Sequence, residues 1–236
     1  MKVCIVGDGL VSLTLAKALV NQGIYVDIFS NQKINKIDKS RTLGISKTSI
    51  DFFNQKILNI KKLLWDINKI EIYSENLKEE KLLNFQTNNE KLFSVIKNYE
   101  LYDYLISELK KTIFFKKKKN YKTILTKNYV LIINCDVDSF FSKKFFSKKL
   151  NKNYNSYAHT TILEHEKLLN NNTAIQIFTK KGPFAFLPIS DTKTSIVYSA
   201  RGSKNIDLAE LLKKYNFKYS IIKINQMSSF KLKSAN

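Results

Sequence analysis

The residues best suited to chemistry lie near the start of the chain, in the segment Gly7-Asp8-Gly9-Leu10-Val11-Ser12. Glycine is scarce, with 6 in 236 residues, and two of the six stand here, between an apolar run and a helical pattern. A glycine turn that opens a helix lets the backbone approach a phosphate, whose charge then rests against the helix N-terminus. The segment therefore predicts a nucleotide site formed by Gly7, Gly9, Leu10 and Ser12. A turn that binds no ligand is the alternative.

A second position of interest is the end of the next predicted strand, where the sequence reads Phe29-Ser30-Asn31. In dinucleotide sites an acidic residue at this point binds the ribose hydroxyls. No Asp or Glu is present here, so Ser30 is the expected ribose contact. A hydroxyl holds a ribose less firmly than a carboxylate does.

The elements that would position these residues follow from the hydrophobic pattern. Residues 2–6 are an apolar run typical of a buried strand, 10–20 have apolar residues at helical spacing, and 24–29 form a second apolar run. Together they have the size of a βαβ unit, about 30 residues. Further helices are predicted over 46–58, 99–111 and 207–214. Further strands are predicted over 67–73, 81–86, 122–126, 129–134 (expected to be buried), 154–163, 173–179, 185–189, 194–200 and 219–226.

These elements predict an α/β fold with two domains. A Rossmann-like nucleotide-binding layer with a parallel sheet would comprise residues 1–66 and 98–146. An antiparallel sheet on the substrate side would comprise residues 67–97 and 147–227, because strand-like runs there alternate with turn signals. Residues 228–236 are expected to be a frayed tail.

The charge balance is strongly basic, with 40 basic and 20 acidic residues and a formal net charge of +20. Arginine occurs only at Arg41 and Arg201, so 38 of the 40 basic residues are lysine. A phosphate-reading surface more often uses arginine, and lysine-rich stretches such as 114–119 and 142–144 are typical of solvated loops and edge strands. We therefore predict no nucleic-acid partner and expect a weak attraction to an anionic membrane surface.

Cysteine and histidine are too few for a disulfide framework or a metal centre. Cys4 and Cys135 are the only cysteines, which favours a reducing compartment. His159 and His165 lack partners at ligand spacing, so we expect each to be structural or exposed and predict no metal site. No apolar run reaches about 18 residues, and the first one breaks at residues 7–9, so neither a membrane span nor a signal peptide is predicted. We expect a cytoplasmic protein, peripheral at the inner membrane if bound there.

Several segments resemble the FAD-dependent aromatic hydroxylases. Residues 3–13 are similar to the N-terminal segment of that family. Within the family they most resemble the ubiquinone-biosynthesis branch of 2-polyprenyl-6-methoxyphenol hydroxylase-like enzymes. Residues 38–46 resemble its segment with a flavin-contacting arginine, here Arg41. Residues 131–139 resemble its middle motif, in which Asp136 matches the acid near the flavin and Val137 replaces a glycine. An alternative alignment places Asp138-Ser139 in that motif.

A further resemblance lies at residues 158–166 and 178–191, and the second stretch holds both prolines of the chain. The family has a similar Gly-Pro-x-x-x-Leu-Pro stretch in its substrate-side sheet. The resemblance implies that this strand walls the substrate pocket, through Gly182, Pro183, Phe184, Phe186 and Pro188.

The resemblance as a whole implies an oxidoreductase, a flavoprotein that uses FAD, NAD(P)H and O₂ to hydroxylate a prenylated phenol in ubiquinone biosynthesis. The cofactor would carry the chemistry, so no catalytic side chain is expected. Other ubiquinone-biosynthesis proteins would be its partners. The similarity stops before the family's second flavin motif. Two alternatives therefore stay open, a truncated non-catalytic relative that acts as a binding or assembly subunit and the N-terminal part of a split enzyme.

Overall fold

The computed structural model describes residues 1–30, 37–75, 80–86, 90–119, 124, 128–145, 151–202 and 204–235. The chain forms two compact units. The first unit comprises residues 1–37, 48–62 and 99–149, and the second comprises residues 38–47, 63–98 and 150–236.

The bounds of the elements are as follows. The helices are α1 (Leu10–Asn21), α2 (Lys47–Phe52), α3 (Asn98–Lys110), α4 (Phe140–Phe145) and α5 (Leu208–Tyr215). The strands are β1 (Lys2–Val6), β2 (Tyr25–Phe29), β3 (Thr42–Ile45), β4 (Leu64–Ile67), β5 (Lys69–Ser74), β6 (Lys81–Gln86), β7 (Phe93–Lys97), β8 (Phe115–Lys118), β9 (Leu131–Asn134), β10 (Asn151–His165), β11 (Thr173–Thr179), β12 (Gly182–Ser190), β13 (Lys193–Arg201), β14 (Ile221–Ile224) and β15 (Ser228–Ala235).

The first unit is built on a parallel sheet of four strands in the order β8-β2-β1-β9. The central strand β1 is apolar from Val3 to Val6 because both of its faces are covered there, and Cys4, Ile5 and Val6 are fully buried. Helix α1 returns the chain from β1 to β2 and contacts both strands. This arrangement confirms the predicted βαβ unit.

The second unit contains an eight-stranded sheet with the order β14-β10-β13-β12-β11-β5-β6, in which β15 also pairs with β10. All pairs in this sheet are antiparallel except β11 with β5. A smaller antiparallel sheet has the order β3-β7-β4. Parallel and antiparallel sheets are thus segregated in an α/β architecture, which confirms the predicted fold class.

The core of the second unit is rich in aromatic residues. Phe184 and Phe186 of β12 are fully buried with their ring centroids 5.1 Å apart, and Tyr198 of β13 packs edge-on at 5.4 Å from Phe184. Helix α5 adds Tyr215 to this cluster. It begins at Asp207, whose side chain accepts a hydrogen bond from the backbone N–H of Glu210 at 3.0 Å, a regular N-cap.

Several sequence-based expectations need correction. The 129–134 run was expected to be buried, but Leu131 and Ile132 of β9 are exposed because β9 is an edge strand. Residues 228–235 are not a frayed tail but strand β15. The predicted helix over 46–58 consists of α2 followed by a π-helical turn, Phe53–Ile57. The expected strand over 122–126 lies outside the described residues apart from Ile124, which is buried.

No helix in the described part of the chain combines the length and the apolar character needed to cross a bilayer.

Candidate functional site

The glycine turn after β1 has a backbone that only glycine adopts easily. Gly7 has φ of +105°, and its N–H donates a hydrogen bond to the Phe29 carbonyl at 2.8 Å. A Cβ at Gly7 would lie 3.2 Å from Cβ of Asp136 and 3.3 Å from the carbonyl carbon of Cys135. The structure therefore brings the first predicted motif and the middle motif into direct contact.

The N-terminus of α1 has no acceptor from its own side chains. Its N-cap is Gly9, in extended conformation with φ −73° and ψ 177°, and no acidic residue stands in the first turn. The first N–H groups of a helix have no intrahelical partner, and they carry the positive end of the helix dipole. A Cβ at Gly9 would meet no atom of the described residues within 4 Å, so the described part of the chain leaves space beside this helix end. An anion fits such a position.

The Ser12 side chain gives a second and independent sign of a ligand. Ser12 lies in the first turn of α1 and is 1% exposed, yet its hydroxyl has no hydrogen-bond partner among the residues the structure describes. A buried hydroxyl without a partner costs on the order of 1–3 kcal/mol. Such groups are rare in native proteins unless a ligand or a water molecule satisfies them.

Asp8 lies inside the glycine turn and forms an ion pair. Its carboxylate is 2.7 Å from the ammonium group of Lys117 on β8, and this lysine also hydrogen-bonds Tyr102. Burial alone would lower the pKa of Lys117, but the hydrogen bond that its ammonium group donates to Asp8 outweighs burial and raises that pKa. Lys117 therefore stays charged and neutralises the one acid in the turn, which would otherwise repel a phosphate.

A second acid of this sheet, Asp27, is also neutralised by lysine. It is 1% exposed and accepts hydrogen bonds from Lys118, from Tyr129 at 2.5 Å and from Lys2 at 3.1 Å. Burial would raise the pKa of Asp27, but these three donors outweigh it and lower the pKa. Burial beside Asp27 raises the pKa of the Cys4 thiol to about 12, so this thiol is unreactive at neutral pH.

These ion pairs correct part of the charge analysis. Residues 114–119 were interpreted as a solvated loop or an edge strand, and β8 is indeed an edge strand. Two of its lysines, however, pair with buried or half-buried acids, and the sequence gives no local signal for pairs separated by about 90 residues or more.

Ser30 follows β2 as predicted and is 5% exposed, and its N–H donates to the Lys118 carbonyl at 3.1 Å. Asn31 lies outside the described residues. The position of Ser30 beside Gly7 follows from the Gly7–Phe29 hydrogen bond, so the predicted ribose contact and the glycine turn lie at the same end of the sheet.

The middle motif forms a hydrogen-bonded turn that leads into α4. The Asp136 carboxylate accepts the N–H of Asp138 at 3.0 Å, and Val137 is exposed. Ser139 donates from its hydroxyl to Asn134 at 2.9 Å and accepts the N–H of Ser142 at 3.1 Å. Both candidate alignments of this motif therefore fall in one short turn, and Asp136 is the acid that faces Gly7.

Arg41 belongs to the second unit, where it is exposed and lies over the Phe230 ring at 5.0 Å. Near it, the Asp38 carboxylate accepts the N–H of Ser40 at 2.7 Å, and the Ser40 hydroxyl is 2.6 Å from that of Thr160. The segment with the predicted flavin-contacting arginine is therefore held firmly to the large sheet.

The predicted substrate-side strand is β12, and its residues divide between two faces. Phe184 and Phe186 pack into the aromatic core, while Leu187 on the other face is half-buried against a second apolar cluster that includes Ile67 and Val95. Gly182 has φ of +140°, and a Cβ there would lie 2.0 Å from the Ser199 carbonyl oxygen, which explains its identity by sheet pairing. Pro188 is buried beside a bulge in the pairing of β12 with β13.

Both histidines are buried and hydrogen-bonded in the second unit. Nδ1 of His159 is 2.8 Å from the Ser229 hydroxyl, while His165 contacts the Glu166 carbonyl at 2.8 Å and the Thr194 hydroxyl at 2.9 Å. These bonds confirm the expected structural role. Within the described ranges, no three metal-binding side chains are grouped in a way that could hold an ion.

Comparisons with known proteins identify the architecture. No protein-family model matches the sequence, and no curated protein is significantly similar to it. Solved structures match at full length but low identity. A protein from Photorhabdus luminescens subsp. laumondii TTO1 described as an FAD-containing monooxygenase has a TM-score of 0.70 and 15% identity, over 100% of this chain and 77% of that one.

Two further structures support the same assignment. For p-nitrophenol 4-monooxygenase PnpA from Pseudomonas putida DLL-E4 the TM-score is 0.73 at 11% identity, over 99% of this chain and 68% of that one. For HpxO from Klebsiella pneumoniae in complex with FAD and uric acid, the TM-score is 0.72 at 11% identity, over 100% and 68% of the two chains. The chain therefore has the fold shared by these FAD-containing monooxygenases and FAD complexes.

Proposed function

We propose that this protein is an FAD-dependent monooxygenase. The observation that carries the proposal is the Ser12 hydroxyl, which is buried and unpartnered among the described residues at the uncapped N-terminus of α1. Gly7 closes the turn tightly, and Gly9 leaves open space beside the helix end. The residues present thus fit a diphosphate, and the fold neighbours include proteins complexed with FAD.

Each residue of the first unit has a role in this proposal. The backbone N–H groups of Leu10 and its neighbours and the Ser12 hydroxyl would hold the diphosphate. Ser30 would bind the ribose, and Asp136 would lie beside the cofactor because it lines the Gly7 turn. In the second unit, the proposal assigns Arg41 to the flavin.

When bound, FAD would supply the redox chemistry, with NAD(P)H as the electron donor and O₂ as the oxidant. The protein's own contribution would be to bind, orient and shield the substrate. Strand β12 would be held rigidly for such a role, because Phe184 and Phe186 on one face and Leu187 on the other each pack against an apolar cluster.

The finer proposal concerns the substrate. We propose a prenylated phenol of ubiquinone biosynthesis, on the strength of the resemblance of residues 38–46 and 178–191. PnpA is a p-nitrophenol 4-monooxygenase, so one protein with this fold is named for a phenolic substrate, and this supports a phenol as the substrate class. Contact with other ubiquinone-biosynthesis proteins and weak binding to an anionic inner-membrane surface belong to the same proposal, and the formal charge of +20 favours the second.

The test begins with FAD binding by the purified chain. We expect FAD to bind the wild type, giving an oxidised-flavin spectrum. Ser12→Ala should bind FAD roughly 10- to 150-fold more weakly, because a hydrogen bond to a charged group contributes about 1.5–3 kcal/mol. Without FAD, Ser12→Ala should be as stable as the wild type or more so, because it removes an unsatisfied hydroxyl. Ser107→Ala is the matched control, since Ser107 is an exposed helical serine bonded to the Tyr104 carbonyl.

Activity is measured next, as FAD-dependent oxidation of NADH or NADPH and as the gain of one oxygen atom by a prenylated phenol. A colourless protein whose fluorescence does not respond to added FAD would overturn the proposal. If the protein binds FAD but hydroxylates no phenol, the proposed cofactor stands and the proposed substrate is refuted.

A further inference from the structure

The four strands of the parallel sheet in the first unit begin side by side, and the residues at this end are largely apolar. The Tyr25 N–H donates to the Met1 carbonyl at 3.2 Å, and the Val130 N–H donates to the Lys2 carbonyl at 3.0 Å. The ring of Tyr25 lies 4.7 Å from that of Phe114, which directly precedes β8. These contacts place the residues in one row across the amino ends of the strands, in the order β8-β2-β1-β9.

The side chains of this row are open to solvent. Ile113, which directly precedes Phe114, is 74% exposed, Val130 is 71% exposed and Tyr25 is 44% exposed. Exposed apolar residues that stand alone need no explanation, but several together mark a surface that contacts something. We call Tyr25, Ile113, Phe114 and Val130 the amino-end rim. The glycine turn that begins at Gly7 follows β1, so the rim lies at the end of the sheet opposite to the proposed phosphate site.

Lysines gather beside the amino-end rim, at the C-terminal end of α3. Lys110 and Lys111 are exposed and come just before the rim residues that lead into β8. The ammonium group of Lys111 donates a hydrogen bond to Glu108, and this bond lowers the pKa of the Glu108 carboxyl. The charges of Lys17 and Lys62 lower the same pKa further. Three lysines thus lie around one carboxylate, and with Lys110 they make the margin of the rim positive.

We propose that the amino-end rim is the surface through which the protein docks on an anionic lipid bilayer. Ile113 and Val130 would enter the boundary between headgroups and hydrocarbon, and the lysines at the end of α3 would lie against the headgroups. Tyr25 suits the same boundary, because tyrosine combines an apolar ring with a polar hydroxyl.

The chemistry of the rim favours lipid over an acidic protein. Protein interfaces are enriched in arginine and depleted in lysine, whereas the basic residues beside the rim are all lysine. A second copy of this chain is disfavoured by its net charge of +20, because two cationic copies repel each other. The proposal gives a surface to the membrane binding in the proposed function, and it rests on that part alone and not on FAD.

The test is co-sedimentation of the 236-residue chain with lipid vesicles, without added FAD. The probe is a phosphatidylcholine vesicle that contains about 30% phosphatidylglycerol, and a pure phosphatidylcholine vesicle is the reference. We expect saturable binding to the anionic vesicle and binding at least tenfold weaker to the neutral one. The binding should also weaken as salt is raised from about 0.05 M to about 0.5 M, because salt screens the lysines.

The first variant tests the apolar contacts. Ile113→Ser combined with Val130→Ser should weaken binding to the anionic vesicle at least tenfold, because both side chains would leave the bilayer boundary. Phe140→Ser is the matched control, since Phe140 is an exposed apolar residue of the same unit that follows the opposite end of β9. It should bind the vesicle as the wild type does.

The second variant tests the charge. Lys110→Gln combined with Lys111→Gln should weaken binding about 30-fold, which corresponds to about 1 kcal/mol for each lysine near an anionic surface. Lys143→Gln combined with Lys144→Gln is the matched control, because these are also two consecutive exposed lysines in the last turn of a helix. All four variants should keep the wild-type melting temperature, since each replaced side chain is exposed.

The proposal is overturned if the anionic vesicle is not bound, if the rim variants bind it as the wild type does, or if the α4 controls lose as much binding. It is also overturned if polyglutamate binds and vesicles do not, or if sedimentation shows a dimer that the serine variant dissociates. An FAD titration of the same variants separates the two proposals. Failed vesicle binding with normal FAD binding refutes the docking surface alone, and the reverse refutes the cofactor alone.

Discussion

The three glycines Gly7, Gly9 and Gly23 allow the phosphate site to be separated from the stability of the fold. Replacing each with alanine adds one Cβ, but the surroundings differ. At Gly7 the Cβ meets the residue 135–136 turn at 3.2–3.3 Å and φ is +105°. At Gly23 φ is +71°, and at Gly9 the backbone is extended; at both positions no atom in the described ranges lies within 4 Å of an added Cβ.

The expected costs follow from these differences. A left-handed backbone costs an alanine about 1–2 kcal/mol, so Gly23→Ala should lose about 1 kcal/mol. Gly7→Ala has the same kind of strain plus close contacts with backbone, and should lose about 2–3 kcal/mol. For Gly9→Ala, a slightly poorer N-cap is offset by reduced freedom of the unfolded chain, so the change should be within about 0.5 kcal/mol.

FAD affinity should follow a different order. If a diphosphate approaches the backbone at Gly9, the added methyl group occupies that space, and Gly9→Ala should weaken FAD binding by at least tenfold while its melting temperature stays within about 2 °C of wild type. Gly23→Ala should lower Tm by about 2–4 °C, as 1 kcal/mol does for a chain of this size, and leave FAD affinity unchanged.

The assay is thermal unfolding without FAD, followed by a fluorescence titration with FAD, on the three variants in parallel. Unchanged FAD affinity in Gly9→Ala would refute the placement of the phosphates at the α1 N-terminus. A Gly9→Ala protein that is as unstable as Gly7→Ala would refute the reading that the space beside Gly9 is open.

Three further predictions concern other contacts. Gly182→Ala should prevent folding of the second unit or cost more than about 4 kcal/mol, because its Cβ would lie 2.0 Å from the Ser199 carbonyl oxygen, and circular dichroism and expression level test this. Asp27→Asn should lower the free energy of unfolding by about 3 kcal/mol at pH 7, measured by urea unfolding. The pKa of Asp27 is lowered in the folded protein, so the stabilisation is present above the unfolded-state pKa of about 3.9 and is lost as the pH falls through the folded-state pKa. The difference from wild type should therefore shrink below about pH 4. Lys117→Gln should weaken FAD binding several-fold by leaving Asp8 unneutralised, and adding Asp8→Asn should restore it; an additive double variant would contradict this account.

The sequence sufficed where the signal is local. The βαβ unit follows from an apolar run, a glycine turn and helical periodicity within 29 residues, and Gly7, Gly9, Ser12 and Ser30 all lie where the pattern predicts them. The helix that begins at Asn98 was equally clear, since its buried residues are spaced by four.

The sequence was insufficient where the partner is distant along the chain. Strand β3 contains four residues and pairs with β7, about 50 residues away, while the five-residue β7 also pairs with β4, about 30 residues away. Strand β15 was interpreted as a tail because it is polar, but its partner β10 supplies the hydrogen bonds. The prediction that β9 is buried was wrong for a related reason, because an apolar run does not show whether its strand is central or at an edge of the sheet.

The lysine excess is the feature whose meaning changes most between sequence and structure. From the sequence alone, the lysine run at residues 116–119 was interpreted as solvated charges on a loop or an edge strand. In the folded chain, β8 lies beside β2, and this position brings Lys117 to Asp8 in the glycine turn and Lys118 to the buried Asp27. The same strand therefore protects one edge of the sheet and neutralises two acids, Asp8 just after β1 and Asp27 in the middle of β2.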